Sequence, residues 1–194
     1  MITHIDGKLV QKTPTYVVID CGGVGYAINI SLHTYDKLGS SEQLKLYTHQ
    51  VIKEDSHTLY GFFDDEERQL FVQLISVSGV GPNTARLMLS SLKPFDIKQA
   101  ISTSNWALIK TVKGIGEKTA QKVVIDLKNK VKGDDTAEGL SFAGSKNVSM
   151  EEALAALIML GFSKIEAEKG LQKIRQQNPL YTVEELVKNT LKIL

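Results

Sequence analysis

One short phrase occurs twice in the chain, and it constrains the fold more than any other feature. Val77-Ser78-Gly79-Val80-Gly81-Pro82-Asn83-Thr84-Ala85 returns 35 positions later as Val112-Lys113-Gly114-Ile115-Gly116-Glu117-Lys118-Thr119-Ala120. Each copy reads hydrophobe-x-Gly-hydrophobe-Gly-x-x-Thr-Ala, and agreement at so many positions with a fixed offset marks an internal repeat. Gly-hydrophobe-Gly predicts a sharp turn between two short helices, where a side chain would clash and where backbone N–H groups are left uncovered. Thr-Ala begins the second helix of each pair. The bare N–H groups therefore lie at a positive helix end, the place where a phosphate oxygen is held. Val80 and Ile115, between the glycines, are expected to plug the core between the helices.

A helix C-cap followed by a turn accounts for a single Gly-x-Gly equally well. Two copies in one basic segment favour phosphate binding. The pattern resembles the helix-hairpin-helix motif, a binder of the DNA backbone that ignores sequence and usually occurs in pairs. The candidate contacts are Gly79, Val80, Gly81, Asn83 and Thr84 in the first copy, and Gly114, Ile115, Gly116, Lys118, Thr119 and Lys122 in the second. Arg86 and Lys113 are additional candidates, with solvated-surface roles as the alternative.

Charge is segregated around the repeat. The net charge is only +1, but residues 64–132 carry eleven Lys/Arg against seven Asp/Glu, while residues 1–63 carry five against six. From Lys93 to Lys132 there are nine lysines against Asp96, Glu117 and Asp126. A basic stretch of this kind is an electrostatic footprint for an anionic polymer. No apolar run approaches the roughly 18 residues of a membrane span, and no basic-then-apolar leader opens the sequence, so a cytoplasmic location away from membranes is expected. Cys21 is the only cysteine, which excludes an internal disulfide, a cysteine-based zinc site and a Cys-x-x-Cys redox pair.

Residues 1–63 read as strands. Leu9-Val10, Tyr16 to Cys21, Gly25 to Ile30, Gln43 to His49 and Leu59 to Phe62 are β-branched or aromatic with partial alternation, and Lys12 to Thr15 and Gly22 to Gly25 punctuate them as turns. Five or six short strands at this spacing predict a small barrel or sandwich, with a short helix over His33 to Leu38. The four histidines of this half lack compact metal-ligand spacing. Between the last two strands, Val51 to Thr58 forms a polar hairpin tip that carries Glu54 and Asp55. A solvated turn is the ordinary explanation, yet paired acids repel phosphates on a chain that otherwise attracts them.

Residues 64–132 read as helical, beginning with an N-cap at Asp64 or Asp65 and ending in a lysine-faced helix over Glu117 to Lys132. Trp106 is expected in the core. Residues 133–148 are rich in Gly, Ser and acids and predict a flexible linker. Residues 149–194 predict three short amphipathic helices, Met150 to Leu160, Lys164 to Gln176 and Val183 to Leu194, the first capped by Ser149 with Glu152.

Taken in order, the chain resembles the RuvA family over essentially its whole length. The resemblance rests on Met1-Ile2 with Gly7, Gly22-Gly23-Val24-Gly25-Tyr26, Lys53-Glu54-Asp55, Leu59-Tyr60-Gly61-Phe62, both hairpins, and Ala153 to Leu157 through Leu160-Gly161-Phe162. It implies an α+β multidomain fold: an N-terminal barrel of the oligonucleotide/oligosaccharide-binding (OB) type, an all-α double helix-hairpin-helix domain, and a C-terminal three-helix UBA-like bundle on a flexible linker. It also implies a homotetramer holding a four-way DNA junction open and planar, with one tetramer or two face to face. A RuvB motor would be recruited through the third domain, and a RuvC resolvase would act on the same junction. Such proteins have no ATPase and no cofactor of their own, and no catalytic or metal-binding residue is implied.

Four copies of Glu54 and Asp55 at the centre of the square would then form an acidic pin that repels incoming phosphates and favours strand separation. Leu157, Leu160 and Phe162 are the candidates for facing the motor, with the bundle's own core as the alternative. Two departures from the family pattern stand out. The first hairpin lacks the lysine often found near Asn83, and Glu117 occupies a place where a positive residue is common.

Two other functions compete on sequence alone. A structure-specific Mg²⁺-dependent nuclease would use the same hairpins to position DNA and Glu54, Asp55 and His57 as metal or acid–base groups, although such sites usually draw carboxylates from several places. No Gly-x-x-x-x-Gly-Lys-Ser/Thr loop is present, which argues against an intrinsic ATPase. A single-strand binder would use the barrel, whose slight negative charge suits that role poorly.

Overall fold

The computed structural model of the chain describes residues 1–39, 41–138, 145–179 and 181–194, with side chains outside 132–148 and 177. It divides into two compact units, Met1–Ala137 and Glu138–Leu194.

The first unit begins as a closed five-stranded barrel built from β1 (His4–Lys12), β2 (Tyr16–Cys21), β3 (Val24–Ile30), β4 (Gln43–Ile52) and β5 (His57–Phe62), in the order β1-β2-β3-β5-β4. β4 returns to pair with β1, and every pairing is antiparallel except β3 with β5. Alternation places Val17 and Ile19, Ile28 and Ile30, and Leu44 and Leu46 inside, with Ile5 and Leu38. A register shift between Leu9 and Gln11 leaves Val10 on the outside. Gly61 faces the barrel core: a Cβ there would lie 2.5 Å from Ile28 Cγ2 and 3.0 Å from a Leu46 methyl, so only glycine fits. Helix α1 (Leu32–Lys37) follows β3, capped by the Ser31 hydroxyl.

Strand β5 joins the barrel to the helices. Gly61 turns inward, whereas Tyr60 and Phe62, on the opposite face, belong to a second core. Their rings pack on Phe71 of α2 (Asp65–Ile75) at 5.1 and 4.9 Å between centroids. Helix α2 adds Leu70 and Leu74, and around them gather α3 (Pro82–Ser91), α4 (Pro94–Ser102), α5 (Trp106–Lys110) and α6 (Glu117–Glu138), contributing Met88, Leu89, Ile97, Ile101, Ile109, Val123 and Leu127. Asp64 is the N-cap of α2 and accepts from the Glu67 amide. Glu67 itself is fully buried in the seam, where the Ser31 and Thr34 hydroxyls donate to its two carboxylate oxygens.

The second unit contains α7 (Ser145–Met159), α8 (Lys164–Gln177) and α9 (Val183–Thr190) around Ala153, Leu157, Ala167, Leu171, Ile174 and Leu186. Capping boxes at Ser163 with Glu166 and Thr182 with Glu185 start α8 and α9. A Cβ on Gly170 would meet Thr190 Cγ2 at 2.7 Å, so glycine permits the close approach of these two helices.

Three expectations are revised. Helix α6 runs on through Glu138 and α7 begins at Ser145, so helix occupies both ends of the stretch whose composition predicts a linker; residues 139–144 lie outside the described residues. Ser149 consequently sits inside α7 and is not its N-cap. Helix α9 ends at Thr190, short of the expected Leu194.

Candidate nucleic-acid interface

The sequence repeat is a structural repeat bond for bond. In the first copy Val77 N donates to Leu74 O at 3.1 Å, Val80 N to Val77 O at 3.0 Å and Ala85 N to Gly81 O at 2.9 Å. In the second, Val112 N donates to Ile109 O at 3.2 Å, Ile115 N to Val112 O at 3.1 Å and Ala120 N to Gly116 O at 3.0 Å. Gly79 and Gly114 take the left-handed backbone at φ +96° and +87°, the conformation that turns the chain from one helix into the next at no steric cost only for glycine. Val80 and Ile115 are buried in the helical core, as plugs.

The second glycine of each copy is a different case. Gly81 has φ −84°, and neither Gly81 nor Gly116 has any atom within 4 Å of where a Cβ would stand. Nothing inside the chain requires glycine at these positions. What a side chain would obstruct is the approach of something from outside. Gly81 is the N-cap of α3, with Pro82 following and no side-chain cap. Among the described residues the amides of Gly81, Asn83 and Thr84, and of Gly116, Lys118 and Thr119, have no intramolecular acceptor, and unpaired first-turn amides are the donors that bind anions at helix ends.

The two hairpins differ electrostatically. Lys113, Lys118 and Lys122 stand exposed around the second. Glu117, at its centre, is paired with Lys110 Nζ at 2.9 Å, so its charge is partly cancelled. The first hairpin has no such lysines; Asn83 is exposed there, and its Oδ1 accepts the Tyr60 hydroxyl at 3.1 Å. Arg86, a candidate phosphate contact, is committed elsewhere: its Nη1 donates to Thr15 O at 3.0 Å and Asn29 Oδ1 at 3.3 Å, tying α3 to the barrel. Trp106 packs on the helical core, with Lys110 Nζ 5.8 Å from its ring centroid.

The acidic tip is a tight turn closed by Lys53 N donating to Ser56 O at 2.8 Å. Glu54 and Asp55 are exposed at its apex, and among the described residues neither forms an ion pair. Among the described residues, likewise, no three His, Cys, Asp or Glu side chains group as a metal cage, and no helix is long and apolar enough to cross a membrane.

In the second unit the motor-facing candidates separate. Leu157 has no exposed surface and belongs to the core, correcting its assignment as a partner-facing residue. Phe162 is half-buried against the same core. Leu160 remains on the surface at 60 % exposure, beside Met159 at 89 %, which sequence reasoning did not single out. Tyr60 and Glu67 were also missed. The alternation in Leu59-Tyr60-Gly61-Phe62 carries a signal for the first; Glu67 reads as an ordinary first-turn acid.

Comparison with known proteins agrees along the whole chain. Residues 1–61 match the model of the RuvA N terminal domain, residues 71–129 that of the SAM-like helix-hairpin-helix tandem, and residues 149–194 that of the RuvA C-terminal domain. The Holliday junction branch migration complex subunit RuvA of Christiangramia forsetii is 52% identical over 197 residues, and its namesake from Flavobacterium psychrophilum 52% identical over 194 residues. The counterpart from Bacteroides thetaiotaomicron is 48% identical over 201 residues. In each case the match covers 100% of both chains.

Proposed function

The chain belongs to the RuvA family, and from that premise we propose how its geometry serves a Holliday junction. It is the non-catalytic, junction-binding subunit of a branch migration complex acting in recombination and repair. The supporting observation is the pair of matched hairpins whose outer glycines, Gly81 and Gly116, answer to no neighbour within the chain. Their free amides, with Lys118 and Lys122, hold phosphate oxygens of a DNA arm. Contacts to the backbone position a duplex without reading it. Branch migration requires that indifference, since a preferred sequence would stall the crossover.

Four copies of the chain form a homotetramer around the crossover, as one tetramer or two facing each other. Each copy brings Glu54 and Asp55 to the centre, where unpaired carboxylates repel the phosphates of entering arms while the hairpins attract those farther out. Attraction at the periphery and repulsion at the centre hold the junction open and planar. The chain supplies no ATP hydrolysis itself. The RuvB motor docks on the C-terminal bundle at the surface that includes Leu160, and the RuvC resolvase acts on the junction so held, in the cytoplasm.

The test is binding of the full chain to a synthetic four-way junction and to a linear duplex of equal length, across a range of salt. Preference for the junction, with affinity falling steeply as salt rises, is expected. Equal affinity for the two DNAs at moderate salt would overturn the proposal.

A further inference from the structure

Tyr60 is buried, lies on the strand that leads away from the acidic tip, and spends its only polar side-chain atom on the first hairpin. Its ring fills the helical core against Phe71, a duty phenylalanine would discharge equally well. The hydroxyl does something more specific, donating to Asn83 Oδ1 at 3.1 Å. Burial pushes the Tyr60 phenol above its ordinary value, against the pull of nearby Arg86, so the group stays a donor at neutral pH.

A carboxamide has one acceptor end and one donor end, and an exposed asparagine normally turns freely between them. Engaging Oδ1 fixes the plane of the group and commits the opposite end. Asn83 is the second residue of α3, directly after Pro82, so its carboxamide belongs to the same first turn as the free amides. Proline contributes no N–H at its own position, which leaves the first hairpin one donor poorer than the second, where Glu117 occupies the corresponding place. A donor from the Asn83 amino group would make up that deficit.

We infer that Tyr60 is a positioning residue for DNA binding: its hydroxyl orients the Asn83 carboxamide so that Nδ2 donates to a phosphate oxygen at the first hairpin. The inference rests on the hairpins being phosphate sites. It accounts for how this copy grips a phosphate without a lysine in the turn, and it makes the barrel wall part of the helical domain's binding surface.

A double-mutant cycle on the full chain tests it, with Tyr60→Phe, Asn83→Ala and the double variant titrated against both a four-way junction and a linear duplex. Expected is a three- to ten-fold weakening by Asn83→Ala, a comparable weakening by Tyr60→Phe, and no further loss in the double variant. Equal losses from Tyr60→Phe with and without Asn83 would overturn the inference, because a purely structural tyrosine behaves that way; so would full affinity in Asn83→Ala. Asn83→Asp, which keeps the acceptor for Tyr60 but removes the donor and adds a negative charge, should weaken binding more than Asn83→Ala at an unchanged melting temperature. Unchanged affinity in that variant also overturns it. Because the cycle can be read on linear duplex alone, loss of junction preference in the unmutated chain would defeat the proposed function while leaving this coupling separately measurable.

Discussion

Ser31 Oγ lies 2.5 Å from Glu67 Oε1, with neither residue exposed to solvent: a hydroxyl from the barrel donates to a carboxylate from the helices. Thr34 donates to the other oxygen at 2.7 Å and accepts from the Phe63 amide at 3.1 Å, so a single acid gathers α1, the end of β5 and α2. Removing one partner from a buried network costs more than the bond was worth, because the others lose their acceptor without gaining water. Glu67→Ala should therefore lower stability by about 2–4 kcal/mol. Glu67→Gln, which keeps one acceptor oxygen, should lose clearly less in chemical denaturation. Equal losses from the two would show that the hydrogen bonds are not what matters there.

The same residue gives stability an unusual pH dependence. Burial pushes the Glu67 carboxyl above the usual 4.5, against the pull of its two hydroxyl donors. A raised folded-state value means that its contribution is full below the unfolded value and fades as pH rises through the folded one. Asp64 has the opposite sign. Burial pushes it upward, but hydrogen bonds from Lys37 and the Glu67 amide, with the Lys37 charge, hold it below the usual 3.8. Its contribution is present above that value and fades as pH falls through the lowered one. Glu67→Gln should close its stability gap with the unmutated chain as pH rises, whereas Asp64→Asn should close its gap as pH falls. Denaturant midpoints across pH would check this, and profiles parallel to that of the unmutated chain would contradict it.

Salt titration separates residues that touch DNA from those that hold the fold. Lys118→Ala and Lys122→Ala should each reduce the slope of log affinity against log salt by about 0.9. Arg86→Ala should leave the slope alone and lower the melting temperature, since its guanidinium is engaged by Thr15 and Asn29. Glu117→Gln should tighten binding by freeing Lys110 from its 2.9 Å pair. An Arg86→Ala slope change as large as that of the lysines would move Arg86 into the interface.

The two glycines of one hairpin should fail differently. Gly114→Ala forces a side chain onto φ +87° and should cost about 1–2 kcal/mol together with DNA affinity. Gly116→Ala meets nothing within 4 Å, so stability should hold while affinity falls. Unchanged affinity in Gly116→Ala would mean that no phosphate chain approaches there.

Glu54→Gln with Asp55→Asn removes charge from an exposed turn whose backbone bond, Lys53 N to Ser56 O, is untouched. Junction binding should persist or strengthen, and branch migration with a RuvB motor should change in rate. A migration rate equal to that of the unmutated chain would argue against the acidic pin.

How much could be read from sequence depended on how far each residue's partner lies along the chain. The hairpins were legible because a positive-φ glycine, a plug residue and a helix start all fall within nine neighbouring positions. Strand number and face followed from alternation. Glu67 was not legible: an acid in the first turn of a helix is satisfied by the helix dipole in most settings, and its actual partners stand 33 and 36 residues away. The tie of Arg86 to the barrel was hidden for the same reason, with an acceptor 71 residues distant. Composition misjudged residues 133–138, where Gly133 and adjacent acids suggest a break but α6 continues. Leu157 and Leu160 look alike in sequence and their spacing would place them on one helical face. Yet α7 ends at Met159, so Leu157 packs in the core while Leu160 lies in the turn beyond the helix and stays exposed.

A cylinder of strands sealed by the pairing of its first with its fourth member offers no unsatisfied rim to a neighbour. Copies of this chain therefore cannot recruit one another by extending a common sheet, the route by which open β-structures grow without limit. Any contact between copies has to be made by side chains, whose geometry decides whether a ring closes or a row of copies continues.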